Sequence, residues 1–203
     1  PKKLAEVLAR RSMAGAMARQ LKPAYRGFAY PIILSGKSAA ALIHEAVGHT
    51  LEADTALERG KPIKIGVKVA SKELTVIDDP LTPGGYGSYF FDDEGIVARR
   101  KTLIEDGIIV NALHNRWSAA VFNTRSNAAA RAMDFTSEPL VRMANTYLEP
   151  GDHSFEELIE DIELGIYVKS YMEWNIDDIR WGQRYVGLES YIIRKGELAE
   201  PVL

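Results

Sequence analysis

Residues 35–54 read SGKSAAALIHEAVGHTLEAD, and within them His44 and His49 bracket Glu45. Two neutral imidazoles can hold Zn²⁺, and a neighbouring carboxylate can take a proton from a water molecule that the metal activates. An apolar run predicts a short strand over residues 30–34, and residues 36–38 are predicted to form the turn that leads from it into the helix carrying His44. The stretch therefore predicts a hydrolytic metal site carried by a helix.

The spacing of the two histidines is unusual for such a site. The common zinc-protease motif places its histidines one helical turn apart, whereas a spacing of five separates them by roughly 140° around an ideal helix. Ligands on opposite sides of a straight helix cannot share a metal, so we predict that residues 44–49 depart from a regular α-helix. A π-type turn would bring the histidines onto one face. Gly48 accepts backbone angles that other residues avoid, so a distortion could be tolerated there.

The motif stretch strongly resembles the core of the TldD/PmbA family of metalloproteases, and its paired histidines are typical of the TldD-like branch. Further segments resemble that family in its order: DDP at 78–80, GSYFFDDEG at 87–95, RMANTYLEPG at 142–151 and GIY at 165–167. The resemblance implies a metallopeptidase that hydrolyses unfolded or extended peptides with zinc as its cofactor. It also implies that His44 and His49 are the metal ligands and that Glu45 is the general base.

The resemblance has further implications for the whole molecule. In the family, a cysteine from a glycine-rich segment near the C-terminus completes the metal site, and a large N-terminal domain is present, but this sequence contains no cysteine. We therefore expect residues 1–203 to form a single catalytic-type domain that is an internal piece of a longer chain. The family also implies a homodimer, or a heterodimer with a related subunit. Arg131 falls where the family has a basic residue, which implies contact with a substrate carbonyl or carboxylate.

Several residues leave alternatives open. Glu52 and Asp54 could supply a third metal ligand or orient an imidazole ring, and the sequence favours the orienting role. The acidic cluster at 92–94 could bind a cation or form an exposed turn, while His114 and His153 are expected to be structural or solvated. A different class of function is a non-catalytic subunit that docks a partner. The missing cysteine favours that alternative, and the paired histidines disfavour it.

The composition excludes some classes of function. The net charge is −3, from 25 basic and 28 acidic residues, which argues against a nucleic-acid-binding surface. No apolar run approaches the ~20 residues of a membrane span, and no signal peptide is visible. The absence of cysteine excludes a disulfide scaffold and fits an intracellular protein. We therefore predict a cytoplasmic protein with no nucleic-acid or membrane partner.

The pattern of apolar residues predicts an α+β fold, in which the motif helix packs on a twisted, largely antiparallel sheet. Residues 2–20 have helical periodicity and predict a core-facing amphipathic helix that Pro23 ends. Alternating residues predict strands over 63–69 and 73–77. The EDG sequence at 105–107 predicts the turn of a hairpin.

The C-terminal part of the chain is predicted to contain one helix and several strands. Ser154 and Glu157 form a capping-box pattern for a helix that continues to about Leu164 and ends at Gly165. A strand meander follows, with predicted strands over 166–171, 174–181 and 184–194 and in the tail.

Overall fold

The computed structural model describes residues 2–19, 29–177 and 182–202. Its backbone contacts divide the chain into two compact units, one drawn from Pro1–Ala39 with Asp152–Leu203 and the other spanning Ala40–Gly151. The predicted α+β fold is confirmed, whereas the single domain over residues 1–203 stays a prediction. No helix among the described residues is long and apolar enough to cross a membrane.

Five α-helices and ten strands are found in the described residues. The helices are α1 (Lys2–Met17), α2 (Gly36–Ile43), α3 (Ala53–Glu58), α4 (Arg116–Val121) and α5 (Phe155–Ile159). The strands are β1 (Ile32–Leu34), β2 (Val76–Asp78), β3 (Lys101–Glu105), β4 (Ile108–Ile109), β5 (Ala130–Arg131), β6 (Leu140–Val141), β7 (Thr146–Leu148), β8 (Leu164–Ile176), β9 (Gln183–Arg194) and β10 (Glu197–Val202).

The first unit contains a four-stranded sheet in the order β1-β8-β9-β10. The strands β8, β9 and β10 pair in antiparallel fashion, and β1 runs parallel to β8 with Ile32 opposite Ile166. The predicted meander is confirmed, although β8 takes in the first predicted strand and the beginning of the second. Residues 178–181, at the end of the second predicted strand, lie outside the described residues.

The helix α1 confirms the predicted helix but not its predicted burial. It packs on β9 and β10, yet none of its described residues is buried, and Met13 and Met17 are each 63% exposed. The prediction of a core-facing helix was wrong, because helical periodicity identifies an apolar face without identifying what covers it. Pro23, the predicted end of this helix, lies outside the described residues.

The helix α5 begins as predicted and ends earlier. Ser154 Oγ accepts a hydrogen bond from the Glu157 N–H, and Glu157 Oε2 accepts one from the Ser154 N–H, so the capping box is confirmed. Gly165 lies within β8 and does not terminate the helix. A Cβ on Gly165 would lie 2.9 Å from Pro31 O, so the glycine permits a close approach of two backbone segments.

The second unit contains an antiparallel sheet in the order β4-β3-β2-β7 and a separate pair of strands, β5 and β6. The predicted hairpin is confirmed, since β3 and β4 meet at Asp106 and Gly107, which both have the positive φ angles of a type I′ turn. Buried side chains of the helical segment, of the strands in this unit and of the residues that flank them form one core: Ile43, Leu51, Val76, Leu103, Ile104, Leu113, Ala129, Val141 and Met143. The motif segment therefore packs on the sheet, as predicted.

The strand predicted over residues 63–69 was wrong. This segment is irregular and touches β4 through an isolated bridge between Lys68 and Ile108. Gly66 has a φ of 85° in the middle of the segment, which is incompatible with an extended strand. The other predicted strand in this region is present as β2.

A buried ion pair joins β2 to β3. Lys101 Nζ lies 3.0 Å from Asp78 Oδ2, and neither side chain is more than 1% exposed. The two atoms do not meet hydrogen-bond geometry, so their attraction is chiefly coulombic. Asp78 Oδ1 also accepts hydrogen bonds from the Ala144 N–H at 2.7 Å and from Thr146 Oγ1 at 2.8 Å. The pair therefore also ties the sheet to the segment that enters β7.

Candidate metal centre

The histidine motif leaves the α-helix at His44. Residues His44–Gly48 form a π-turn after α2, in which the His49 N–H donates to His44 O. A short 3₁₀ turn, His49–Leu51, follows. The wider turn brings positions five apart onto one face, and the two imidazole rings meet edge to face with their centroids 4.8 Å apart. The predicted departure from a regular α-helix is confirmed.

The side chains of His44, Glu45 and His49 form a compact group of metal donors. One ligand atom from each lies within 4.8 Å of the other two, and Glu45 Oε2 is 4.0 Å from His49 Nε2. Donors around a tetrahedral zinc lie about 3.3 Å apart, so a shared metal requires only small side-chain rotations. Imidazole nitrogens are ligands that zinc accepts, and a carboxylate beside them can take a proton from metal-bound water. The group therefore fits zinc.

Gly48 has a different role from the one predicted. Its φ of −53° and ψ of −62° lie in the ordinary right-handed helical region, so the turn does not need glycine for its backbone angles. A Cβ on Gly48 would overlap Met143 Sδ, and Met143 is only 6% exposed. The glycine is needed because a buried side chain packs directly against the π-turn.

Glu52 orients the ring of His49. Its Oε2 lies 2.8 Å from His49 Nδ1, and its backbone is held between two hydrogen bonds, from the Leu113 N–H to Leu51 O and from the Ala53 N–H to Leu113 O. A proton on Nδ1, donated to the carboxylate, leaves the lone pair of Nε2 available for a metal. This geometry supports the orienting role for Glu52 that the sequence favours.

The electrostatics around Glu52 also fit a cation. Glu52 is 2% exposed, and its Oε1 has no hydrogen-bond partner among the described residues. A buried carboxylate with an unsatisfied oxygen is costly unless a positive charge lies nearby. A metal ion on His49 would supply that charge through the imidazole ring.

Asp54, the other acid considered near the motif, has a structural role. Its Oδ1 accepts a hydrogen bond from the Thr55 N–H at 2.6 Å, and its Oδ2 accepts one from the Val141 N–H at 2.8 Å. Asp54 therefore fastens α3 to β6 and is engaged away from the two histidines.

The histidines line a cleft of about 770 Å³. One wall is the helical segment with His44, His49 and Glu52. The other, which we call the β5–β6 wall, comprises β5, β6, the loop between them and the two residues after β6. Its lining side chains include Arg131, Met133, Glu138, Leu140, Arg142 and Met143. The structure therefore places Arg131, predicted to contact substrate, in the same cleft as both histidines.

Two contacts hold the guanidinium of Arg131. Its Nη1 donates to Met143 O at 2.7 Å, and its Cζ lies 5.8 Å from the centre of the Tyr89 ring. Burial raises the pKa of the Tyr89 phenol, whose hydroxyl donates to Ala128 O at 2.6 Å. The ring therefore stays neutral, and the contact is a cation–π contact and not an ion pair.

The acidic run that contains Asp92 and Asp93 fastens the strand that carries Arg131. Asp92 Oδ2 accepts a hydrogen bond from the Ala130 N–H at 3.1 Å, and Asp93 Oδ2 accepts one from the Ala132 N–H at 2.6 Å. The run forms a turn, which was one of the two alternatives, but Asp92 is buried and not exposed. Its carboxylates bind backbone on both sides of Arg131 and so restrain that residue.

The remaining two histidines do not line the cleft. His114 is buried, with its Nδ1 3.3 Å from Ser118 Oγ and its ring against Phe122. Burial lowers the pKa of His114, which favours a neutral ring. His153 is exposed ahead of α5. These positions agree with the structural and solvated roles expected for them.

Of the side chains named for the β5–β6 wall, sequence reasoning identified only Arg131 and missed Met133, Glu138, Leu140, Arg142 and Met143. Arg142 begins one of the segments that carried the family resemblance, so its neighbourhood was identified. Its position in the cleft depends on the pairing of β5 with β6. The residues between these two strands carry no strong local turn pattern from which that pairing could be predicted.

Comparison with known proteins places these features in a family. Residues 27–203 match the family described as the PmbA/TldA metallopeptidase C-terminal domain. A protein from Methanocaldococcus jannaschii named as a metalloprotease is 39% identical over 181 residues, which cover 88% of this chain and 40% of the relative. A zinc metalloprotease TldD homolog from Saccharolobus solfataricus is 33% identical over 175 residues, which cover 85% of this chain and 39% of the relative.

A solved structure shares the fold. The crystal structure of TldE from Thermococcus kodakarensis matches 85% of this chain and 40% of its own with a TM-score of 0.75 at 22% identity. The chain belongs to the PmbA/TldD family of metallopeptidases, and the resemblance in the sequence is confirmed. It spans about 40% of the length of the curated relatives that it matches.

Proposed function

We propose that this protein is a zinc-dependent metallopeptidase that hydrolyses unfolded or extended peptides. The observation that carries the proposal is the π-turn, because it sets His44 and His49 on one face with Glu45 beside them. The zinc metalloprotease name of one relative supports the choice of metal. The size of the cleft, about 770 Å³, supports binding of a short extended segment of peptide.

Each residue of the motif has a distinct role in this proposal. His44 and His49 hold the metal, and His49 uses Nε2 because its Nδ1 faces Glu52. Bound zinc supplies Lewis acidity toward the scissile carbonyl and the attacking water. Glu45 is the general base, which accepts a proton from that water and returns it to the leaving amine. Arg131 binds a substrate carbonyl or carboxylate from the opposite wall.

The proposal extends to the rest of the full-length protein. Catalytic zinc sites usually have three protein ligands, and Glu52 is engaged with His49. We propose that the third ligand comes from a part of the full-length protein outside these 203 residues. We also propose that the protein acts in the cytoplasm as a homodimer or as a heterodimer with a related subunit, as the family resemblance implies.

Removal of the metal tests the proposed function. The full-length protein should hold about one zinc per chain and should cleave an unstructured, internally quenched peptide. A chelator should abolish cleavage, zinc should restore it, and a chelator saturated with zinc beforehand should have no effect. Full activity of the metal-free protein would contradict the proposal. A protein that binds no zinc and cleaves no peptide would support the alternative of a non-catalytic partner-binding subunit.

A change at Glu52 tests how the metal site is held. Glu52→Gln should weaken zinc binding on the order of 10-fold, because glutamine keeps the size of the side chain and removes the charge that faces His49 Nδ1. Competition with a zinc-binding dye measures this change in the full-length protein. Glu58→Gln, at an exposed acid of α3, is the matched control. An unchanged affinity for zinc would contradict the orienting role. A loss of zinc as complete as in His49→Ala would make Glu52 a ligand.

A further inference from the structure

We propose that the β5–β6 wall binds a carboxylate of the peptide substrate through Arg131 and Arg142. The inference rests on the proposed peptidase function and adds a substrate class to it. The preferred peptides would carry a carboxylate close to the scissile bond, either as an acidic side chain or as the C-terminal group.

Strand pairing places the two guanidinium groups on one face. Arg131 lies opposite Leu140 in the antiparallel register, and residues directly opposite each other share a face of a sheet. Arg142 is the first residue after β6, and its N–H still donates to Ala129 O across the strand pair at 2.8 Å. The alternation of extended backbone therefore directs its side chain to the same face as Leu140. All three side chains line the cleft. Val141, which alternates with them, is only 1% exposed and belongs to the core on the other face.

The two arginines lack acidic partners within the part of the chain that the structure describes. No described carboxylate lies within 4.0 Å of either guanidinium. Arg131 donates one hydrogen bond to a backbone oxygen, so further N–H groups remain for a ligand. Two like charges on one face repel each other, and an anion bound between them relieves that repulsion. A guanidinium also matches a carboxylate with two parallel hydrogen bonds.

The surrounding contacts favour a preformed anion site. The backbone on both sides of Arg131 is fastened by Asp92 and Asp93, so binding requires little ordering of that strand. Glu52 is engaged with His49, which leaves Glu138 as the exposed acid in the described lining of the cleft. Its negative charge opposes carboxylate binding. Removing the charge of Glu138 should therefore strengthen the preference for peptides with a carboxylate, and removing the charge of Arg142 should weaken it.

Four matched peptides and the full-length protein test the inference. The peptides share one unstructured sequence, carry glutamate or glutamine beside the mapped cleavage position, and end in a free carboxylate or an amide. The kcat/KM of the peptide with a carboxylate should exceed that of its neutral counterpart by about 10-fold. The glutamate pair tests the side chain as the source of the carboxylate, and the acid and amide pair tests the C-terminus.

Variants assign the preference to this wall. Arg142→Gln should reduce the ratio of the two kcat/KM values toward one, Arg142→Lys should reduce it in part, and Glu138→Gln should raise it. Arg125→Gln, at an exposed arginine outside the cleft lining, should leave the ratio unchanged.

Three outcomes would overturn the inference in distinguishable ways. Equal rates for all four peptides would contradict carboxylate recognition and leave the peptidase proposal intact. A preference that neither Arg142→Gln nor Glu138→Gln alters would contradict its assignment to these residues. If the zinc-loaded full-length protein cleaved no unstructured peptide, so that no cleavage position could be mapped, the proposed function itself would be wrong, and the inference would fail with it.

Discussion

Glutamine in place of Glu45 is expected to lower peptide hydrolysis by the full-length protein by a factor on the order of 100 or more. The substitution keeps the shape of the side chain and removes the charge that accepts the proton. Glu45 is 9% exposed and 4.0 Å from His49 Nε2, so glutamine should occupy the same space without disturbing the histidines. The measurement is kcat/KM on an unstructured peptide, with zinc content determined on the same sample.

The histidine variants provide the comparison that separates a base from a ligand. His44→Ala and His49→Ala should lose zinc and, with it, activity, whereas Glu45→Gln should keep its zinc. Full activity in Glu45→Gln would refute the assignment of the base. A loss of zinc as complete as in the histidine variants would make Glu45 a ligand, and a different residue would have to act as the base.

Asparagine in place of Asp78 is expected to destabilise the protein by about 3–5 kcal/mol, because it leaves the buried charge of Lys101 without a partner. Neither side chain is more than 1% exposed, so water cannot replace the lost carboxylate. Asparagine can still accept the hydrogen bonds that Asp78 Oδ1 receives from Ala144 and Thr146. The change therefore isolates the charge. Urea denaturation of the parent and variant proteins measures the difference in the free energy of unfolding.

The double variant separates a buried charge from a general disturbance of the sheet. Lys101→Met in the Asp78→Asn background removes the unpaired charge and should recover most of the lost stability. A single variant within about 1 kcal/mol of the parent would refute this account of the pair, since breaking a buried ion pair should cost more than an exposed one. Failure of the second substitution to restore stability would place the cost in the hydrogen bonds of Asp78 instead.

The cleft depends on packing within one compact unit. All its lining residues lie between residues 40 and 151. Asp54 fastens α3 to β6, and the side chain of Met143 occupies the space beside Gly48. These contacts set the distance between the helical wall and the β5–β6 wall. A substitution at Asp54 or at Gly48 should therefore change the positions of both walls.

Local patterns in the sequence predicted several features because their geometry repeats over a few residues. The spacing of His44 and His49 predicted the π-turn, since two ligands of one metal must share a face. The capping box of Ser154 with Glu157 and the turn at 105–107 depend on hydrogen bonds and φ angles within single short segments. The residue types of the motif predicted a hydrolytic metal site, and the family resemblance then indicated zinc and peptide hydrolysis.

The features that only the tertiary structure decided are contacts between segments distant along the chain. The sequence could identify Gly48 as unusual, but Met143, which explains it, follows 95 positions later. The exposure of α1 likewise depends on what covers its apolar face, and periodicity does not encode that. The cleft arises because β6 pairs with β5 and brings Arg142 beside Arg131, opposite the histidines. By itself, the sequence determined the residues of the motif and the need for a distorted helix. The tertiary structure decided which side chains surround the motif, because side-chain packing and strand pairing between distant segments leave no repeating pattern in the local sequence.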